Sequence, residues 1–318
     1  MRARIAVVLN NHLIGELCGA NDQNLKTLED LFGVGVFSRG NEVFLESDDE
    51  ELHRAFRQVI AQLEDHVRLG QHASPDLVRT LYRTMNDSGG EELDLLKKTC
   101  VHLPKSNSRV FPKSTNQALY LDAIDRCDMV FGIGPAGTGK TYLAVAYALK
   151  AILSRTKRKL ILTRPVVEAG ESLGFLPGDL EQKISPYLRP LYDAMESLIP
   201  FESIRAMEEN RVIEIAPLAY MRGRTLSDAF VILDEAQNTT KEQMKMFLTR
   251  IGLGAKTVIT GDITQIDLPK RRQSGLLHAM AVLKSIRQIR FLFFEEGDVV
   301  RNALVRKIVR AYENEEET

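Results

Sequence analysis

The sequence predicts an α/β fold: a domain on a mostly parallel sheet, preceded by a small α+β domain. Three observations carry this expectation. The first is a glycine-crowded loop set between a β-rich run and an alanine-rich helix former, "FGIGPAGTGKTYLAVAYALK" at 131–150. The second is the alternation of helical segments with near-continuous apolar runs: "MVFGIG", "KLILTRP", "RVIEIAP", "FVILDEA", "KTVITGD" and "IRFLFFEE". Strands that are apolar on both faces and separated by helices belong to parallel sheets covered on both sides. The third is a change of pattern near residue 115, before which the strands come as a hairpin and the helices are amphipathic.

Residues 1–65 read in order as strand, helix, two strands and helix. "RIAVVL" is the first strand, and "NDQNLKTLEDLFG" is a helix with Asn21 or Asp22 as cap and Gly33 as stop. "VGVFSRGNEVFLE" is a hairpin turning around Gly40-Asn41, with Val34, Val36, Val43 and Phe44 among its apolar residues. "DDEELHRAFRQVIAQLEDHV" places Leu52, Phe56, Val59, Ile60 and Leu63 on one helical face. Residues 66–114 are polar and turn-rich and are expected to form a linker with one helix at "LVRTLYR". The α/β domain then occupies 115–312, and "ENEEET" at 313–318 is a solvated acidic tail.

Composition bounds the function. Hydrophobic residues at 44% and charged residues at 27% over 318 positions describe a globular protein. A net charge of −1 excludes gross attraction to nucleic acid, so any such binding must come from local patches. Cys18, Cys100 and Cys127 are far apart and form no C-x-x-C, which indicates neither a disulfide framework nor a zinc site. The six histidines are scattered and read as ordinary surface or core residues. No apolar run approaches the length of a membrane helix. The apolar run in "MRARIAVVLNNHL" is too short for a signal peptide, so the expected location is the cytoplasm.

The glycine-rich loop carries the chemistry. Gly134-Pro135-Ala136-Gly137-Thr138-Gly139-Lys140-Thr141 matches G-x-x-x-x-G-K-[ST], the phosphate-binding P-loop, in the required setting between a strand and a helix. Its glycines let successive backbone N–H groups turn inward on phosphate oxygens, and the following helix adds its positive dipole end. Lys140 is expected to reach the β- and γ-phosphates and Thr141 to sit on Mg²⁺. "FVILDEAQ" closes an apolar strand with Asp234, which can hold the same ion, and Glu235, which can orient and deprotonate the attacking water. Glu235 separates hydrolysis from phosphoryl transfer to a small molecule. In "VITGDITQ", the amide of Gln265 can bond the γ-phosphate or the attacking water. Gln117, upstream of the loop, offers paired donor and acceptor for an adenine edge.

Gln117, "GPAGTGKT", "LTRPVVEAGESLGFLPGDLEQKISPYLRPLYDAM", "YMRGRTLSDAFVILDEAQNTT" and "GDITQIDLP" together resemble the PhoH-like ATPases, relatives of the superfamily 1 helicase core. The resemblance runs over roughly 110–312. It implies a RecA-like fold, ATP with Mg²⁺ as cofactor, ATP hydrolysis and RNA as substrate. The N-terminal piece resembles the KH-like module of bacterial PhoH-like proteins, although residues 1–65 lack the G-x-x-G backbone clamp. Arg164 resembles the helicase motif that touches a nucleic-acid backbone. Arg164, Arg222 and Arg224 are either bidentate phosphate contacts or structural ion pairs. "RTKRK" at 155–159 reads as a solvated face, and Lys270, Arg271 and Arg272 lie on the nucleotide side of the sequence pattern. The glycine-rich excursion at 168–193 suits a substrate-gripping element.

One RecA-like domain leaves a face of ATP uncovered, which implies a homo-oligomeric ring, expected to be a hexamer, with an arginine supplied in trans. Arg301 is the first candidate and Arg306 the second; Arg301 is followed by Asn302 where the family commonly has His. Family context also implies a role in ribosomal RNA maturation with an endoribonuclease partner. Two rivals share the P-loop: a small-molecule kinase, and a non-catalytic RNA-binding protein that holds ATP as a structural ligand.

Overall fold

A computed structural model of the chain describes residues 4–10, 12–87, 90–104, 108–166 and 180–299. The chain forms two compact units, 1–100 with 111–118, and 101–110 with 119–318.

The first unit is α+β. Its elements are β1 (Arg4–Val8), α1 (Ile14–Cys18), α2 (Gln23–Phe32), β2 (Val36–Arg39), β3 (Glu42–Glu46), α3 (Glu50–Arg68), α4 (Pro75–Asp87) and α5 (Gly90–Lys98). The sheet has the order β1-β3-β2 and is antiparallel throughout. The hairpin turns at Gly40, whose φ of 64° favours glycine. Period-2 alternation buries Val43 and Leu45 on one face, while Phe44 on the other stacks on Phe37 at 5.1 Å. Gly33 ends α2 in the left-handed region, as expected. Asp22 does stand at the N-cap of that helix, but at φ 57° its side chain makes no capping bond. Asp49 caps α3, its carboxylate accepting from Glu51 N at 2.7 Å.

Residues 66–114 differ from the expected linker. Helices α4 and α5 contribute Leu77, Val78, Leu81, Leu93 and Leu96 to the core that also holds Phe56, Val59, Ile60 and Leu63. The Phe32 ring meets Phe56 and Tyr82 edge-on at 5.6 and 5.0 Å. Leu77, Val78, Leu81, Tyr82 and Met85 recur at helical spacing. The helix expected at "LVRTLYR" is the middle of α4, but the turn residues on either side mask its part in the core.

The second unit opens with a two-stranded ribbon, β4 (Val101–His102) and β5 (Arg109–Val110), and α6 (Thr115–Arg126) joins it from Leu119 onward. There follow β6 (Met129–Ile133), α7 (Lys140–Leu153), β7 (Lys159–Arg164), α8 (Leu180–Glu196), α9 (Phe201–Glu209) and β8 (Ile213–Pro217). β9 (Ala229–Leu233), α10 (Lys241–Leu248), β10 (Lys256–Gly261), α11 (Gly275–Leu283) and β11 (Ile289–Phe293) complete it. All six apolar runs are strands of one parallel sheet, ordered β11-β6-β10-β9-β7-β8. This is a RecA-like α/β sheet. Alternation splits each central strand between two cores: Val130, Leu162, Ile232 and Val258 join Leu143 and Leu149 of α7, while Phe131, Ile161, Val231 and Ile259 join Phe247 and Leu276. No helix among the described residues is long and apolar enough to cross a membrane.

Candidate nucleotide site

The strand order brings the chemistry together. β6, β10, β9 and β7 are successive neighbours and parallel, so the loops leaving their carboxyl ends converge. Open α/β sheets bind ligands in that crevice. There, Ala136, Gly137, Gly139, Lys140, Thr141, Tyr142, Asp234, Glu235, Gly261, Asp262 and Gln265 line a cavity of about 250 Å³.

The loop after β6 is shaped by its glycines. Gly134 has φ 152° and donates to Gly261 O at 3.1 Å, and a Cβ there would lie 2.5 Å from the Phe294 carbonyl oxygen. Gly137 and Gly139 both have φ 80°, and Gly139 is the N-cap of α7. The Lys140 ammonium donates to Gly134 O and Pro135 O at 2.7 Å and to Thr138 Oγ1 at 3.1 Å. Burial lowers its pKa, opposed by the carboxylates of Asp262, Asp234 and Glu235. Thr138 Oγ1 in turn donates to Pro135 O at 2.9 Å. A phosphate would replace these neutral carbonyl acceptors with an anionic one.

Asp234 Oδ1 accepts from Thr141 Oγ1 at 2.7 Å and from Thr260 Oγ1 at 2.6 Å. Hard hydroxyl and carboxylate oxygens set side by side suit Mg²⁺, so Thr141 and Asp234 would hold the ion that accompanies a nucleotide. Glu235 has φ 53°, a left-handed conformation unusual for a residue with a side chain. Its Oε1 accepts from Arg164 at 2.8 Å, and its Oε2 accepts from Gln237 Nε2. Gln237 also donates to Gln265 O at 3.2 Å and accepts from Asp262 N at 3.0 Å. Asp262 Oδ2 accepts from Ala136 N at 3.0 Å, which fastens the loop after β10 to the P-loop. Gln265 itself is exposed at the cavity's rim.

The structure therefore brings together Gly134 through Thr141, Asp234, Glu235 and Gln265. Gln117 belongs to the first unit, where it is buried and its Oε1 accepts from Lys113 N at 2.7 Å. Of the arginines with two readings, Arg224 forms an ion pair with Glu214, its second nitrogen donating at 2.7 Å. That bond holds the Glu214 carboxyl below its ordinary range and raises Arg224. Arg164 is likewise paired, and Arg222 is exposed. Lys270, Arg271 and Arg272 are exposed and absent from the cavity's described lining. Arg301, Arg306, the tail and the first part of the 168–193 excursion lie outside the described residues. Sequence reasoning assigned no role to Thr260, Asp262 or Gln237. The signal for all three is proximity in sequence, since each lies within three residues of Asp234 or within the "TGDITQ" run.

A parallel sheet with a P-loop after one strand and paired acids closing a near neighbour defines a P-loop nucleotide-binding domain of the ATPase class. Similarity to known proteins narrows the class. The sequence model of the PhoH-like protein family matches residues 109–313. The PhoH-like protein of Mycobacterium tuberculosis is 49% identical over 320 residues, covering 99% of this chain and 89% of that protein. The PhoH-like protein of Bacillus subtilis is 46% identical, over 94% of this chain and 93% of its own length. Protein PhoH of Escherichia coli is 42% identical over 210 residues, 65% of this chain and 59% of that protein. The chain belongs to the PhoH family, a family of P-loop ATPases.

Proposed function

We propose that this chain binds ATP with Mg²⁺ in the cavity at the carboxyl edge of its parallel sheet, hydrolyses the γ-phosphate, and does so on RNA. One observation carries the reading: the Thr141–Asp234 contact of 2.7 Å sits beside Glu235 in a single cavity with the P-loop. Lys140 and the loop N–H groups take the phosphates, and Thr141 and Asp234 take the ion. Glu235 orients and deprotonates the water, while Gln265 watches the γ-phosphate from the rim. A second carboxylate beside the ion-binding one favours water over a metabolite as acceptor. The RNA part rests on the family and on the N-terminal α+β unit, read as a KH-like module. On the same footing, the protein works in the cytoplasm in ribosomal RNA maturation, as a homo-oligomeric ring beside an endoribonuclease.

The test is steady-state phosphate release from ATP with Mg²⁺, with and without single-stranded RNA. Release that rises with RNA supports the proposal. Release only when a small-molecule acceptor is added would replace it with a kinase. ATP binding with no release under either condition would make the nucleotide a structural ligand.

A further inference from the structure

Arg164 ends β7 beside the acids that follow β9. The two strands pair Thr163 with Leu233, and Asp234 N donates to Thr163 O at 2.9 Å, so the guanidinium and the carboxylates emerge side by side. Arg164 spreads its planar fork over two acceptors and lies near a third oxygen. One terminal nitrogen donates to Glu235 Oε1 at 2.8 Å, the other to Tyr187 O on α8 at 2.9 Å, and Nε lies 4.0 Å from Asp234 Oδ2. With Gln237 on Oε2, both oxygens of Glu235 are engaged. The Arg164 side chain is 19% exposed and Glu235 33%, so solvent and ligands reach the pair without unfolding.

A guanidinium held this way attracts the oxygen that would take the water's proton. The same fork matches a phosphate group in geometry and charge, and a phosphate competes for its donors with Glu235. We propose that Arg164 is a positioning residue that latches Glu235, and that a phosphate group opens the latch by taking over the guanidinium. Loss of that phosphate lets the pair re-form. The inference rests on Glu235 as the water-orienting residue. The phosphate has two sources, the γ-phosphate of the nucleotide and the phosphodiester of RNA. Because Arg164 also holds the backbone of α8, the exchange reaches from the cavity to the helix that follows the excursion after β7.

The test compares full-length wild-type protein with Arg164→Ala, Arg164→Lys and Glu235→Gln. ATP turnover is read with and without an unstructured RNA oligonucleotide, and affinity is read for a non-hydrolysable ATP analogue and for ADP. If RNA supplies the phosphate, Arg164→Ala raises RNA-free kcat roughly 3- to 20-fold, the scale of a partly exposed charge-assisted pair. RNA then adds nothing further, and KM for ATP stays near wild type. If the γ-phosphate supplies it, affinity for the ATP analogue falls relative to ADP, and RNA stimulation persists. Arg164→Lys keeps the charge without the fork and shows the same signature at smaller amplitude, which serves if the alanine variant does not fold. A folded variant that shows neither signature overturns the latch. Wild-type turnover by Glu235→Gln instead rejects the role of Glu235 itself, so the two failures are distinguishable.

Discussion

Glu235 adopts a left-handed backbone conformation, φ 53°, that costs a residue with a Cβ roughly 1–2 kcal/mol. The turn it makes swings its carboxylate into the cavity beside Asp234 instead of continuing the strand. Strain of this kind persists where surrounding bonds over-determine it, and here Arg164 and Gln237 do so. Glu235→Gln is expected to keep nucleotide binding and lower hydrolysis by about 10²–10⁴-fold, the usual worth of a positioned general base. Lys140→Ala is expected to lose nucleotide affinity as well, because the ammonium is the loop's one charged phosphate ligand. Paired measurements of analogue binding and phosphate release separate the two, and unchanged turnover by Lys140→Ala would sink the site. Lys140 and Thr141 were legible from the motif's spacing, and Asp234 and Glu235 from the apolar strand they close. Gln237 and Asp262 were not, because their roles depend on two loops meeting across the sheet. Arg164 and Arg224 were undecided between phosphate and ion pairing, since a sequence does not say which carboxylate a guanidinium will face.

Among the elements, the parallel strands were the most legible, because a run apolar on both faces has few other places to go. The packing of α4 was the least: a helix is legible at "LVRTLYR", but not its place in the core. Its stripe is amphipathic, and the turn-rich flanks made the whole stretch read as a linker. Leu81→Ala discriminates the two descriptions. Leu81 is fully buried, so truncation should cost about 2–4 kcal/mol in denaturant unfolding. A residue on a solvated linker would cost within about 0.5 kcal/mol. The preceding helix supplies a pH test. His66 on α3 is buried, its Nδ1 donates to Gln71 Oε1 at 2.7 Å, and its Nε2 has no partner among the described residues. Protonation would place an unsatisfied N–H and a charge in the core, so burial lowers its pKa below 6.5. The unfolded chain therefore binds the proton first as pH falls. Stability from this residue is full above the unfolded value and is lost on descending through it toward the folded one. In a His66→Gln variant, the slope of unfolding free energy against pH should flatten below about 6.5. An unchanged slope would move the acid sensitivity elsewhere.

At the scale of the whole molecule, charge frames the question of assembly. Asp234, Glu235 and Asp262 line the cavity, and among its described lining residues Lys140 is the cation, with Arg164 bonded to Glu235. A nucleoside triphosphate adds further negative charge, of which Mg²⁺ offsets part. Transferring the γ-phosphoryl group spreads charge over its equatorial oxygens, and an arginine placed there contributes about 10³–10⁵ in turnover in other phosphoryl-transfer enzymes. A second copy of the chain in a ring is the source proposed for it, with Arg301 the first candidate and Arg306 the second. The decisive experiment mixes two inactive proteins, Arg301→Ala and Glu235→Gln. If the arginine acts across a subunit boundary, some interfaces in a mixed ring join an intact Glu235 to an intact Arg301, and phosphate release returns. If it acts within its own chain, no chain in the mixture carries both residues intact, and the mixture stays inactive. Recovery with Arg306→Ala in place of Arg301→Ala would move the assignment to Arg306. A fully active Arg301→Ala protein, or no recovery in oligomers shown to be mixed, would remove Arg301 from the site.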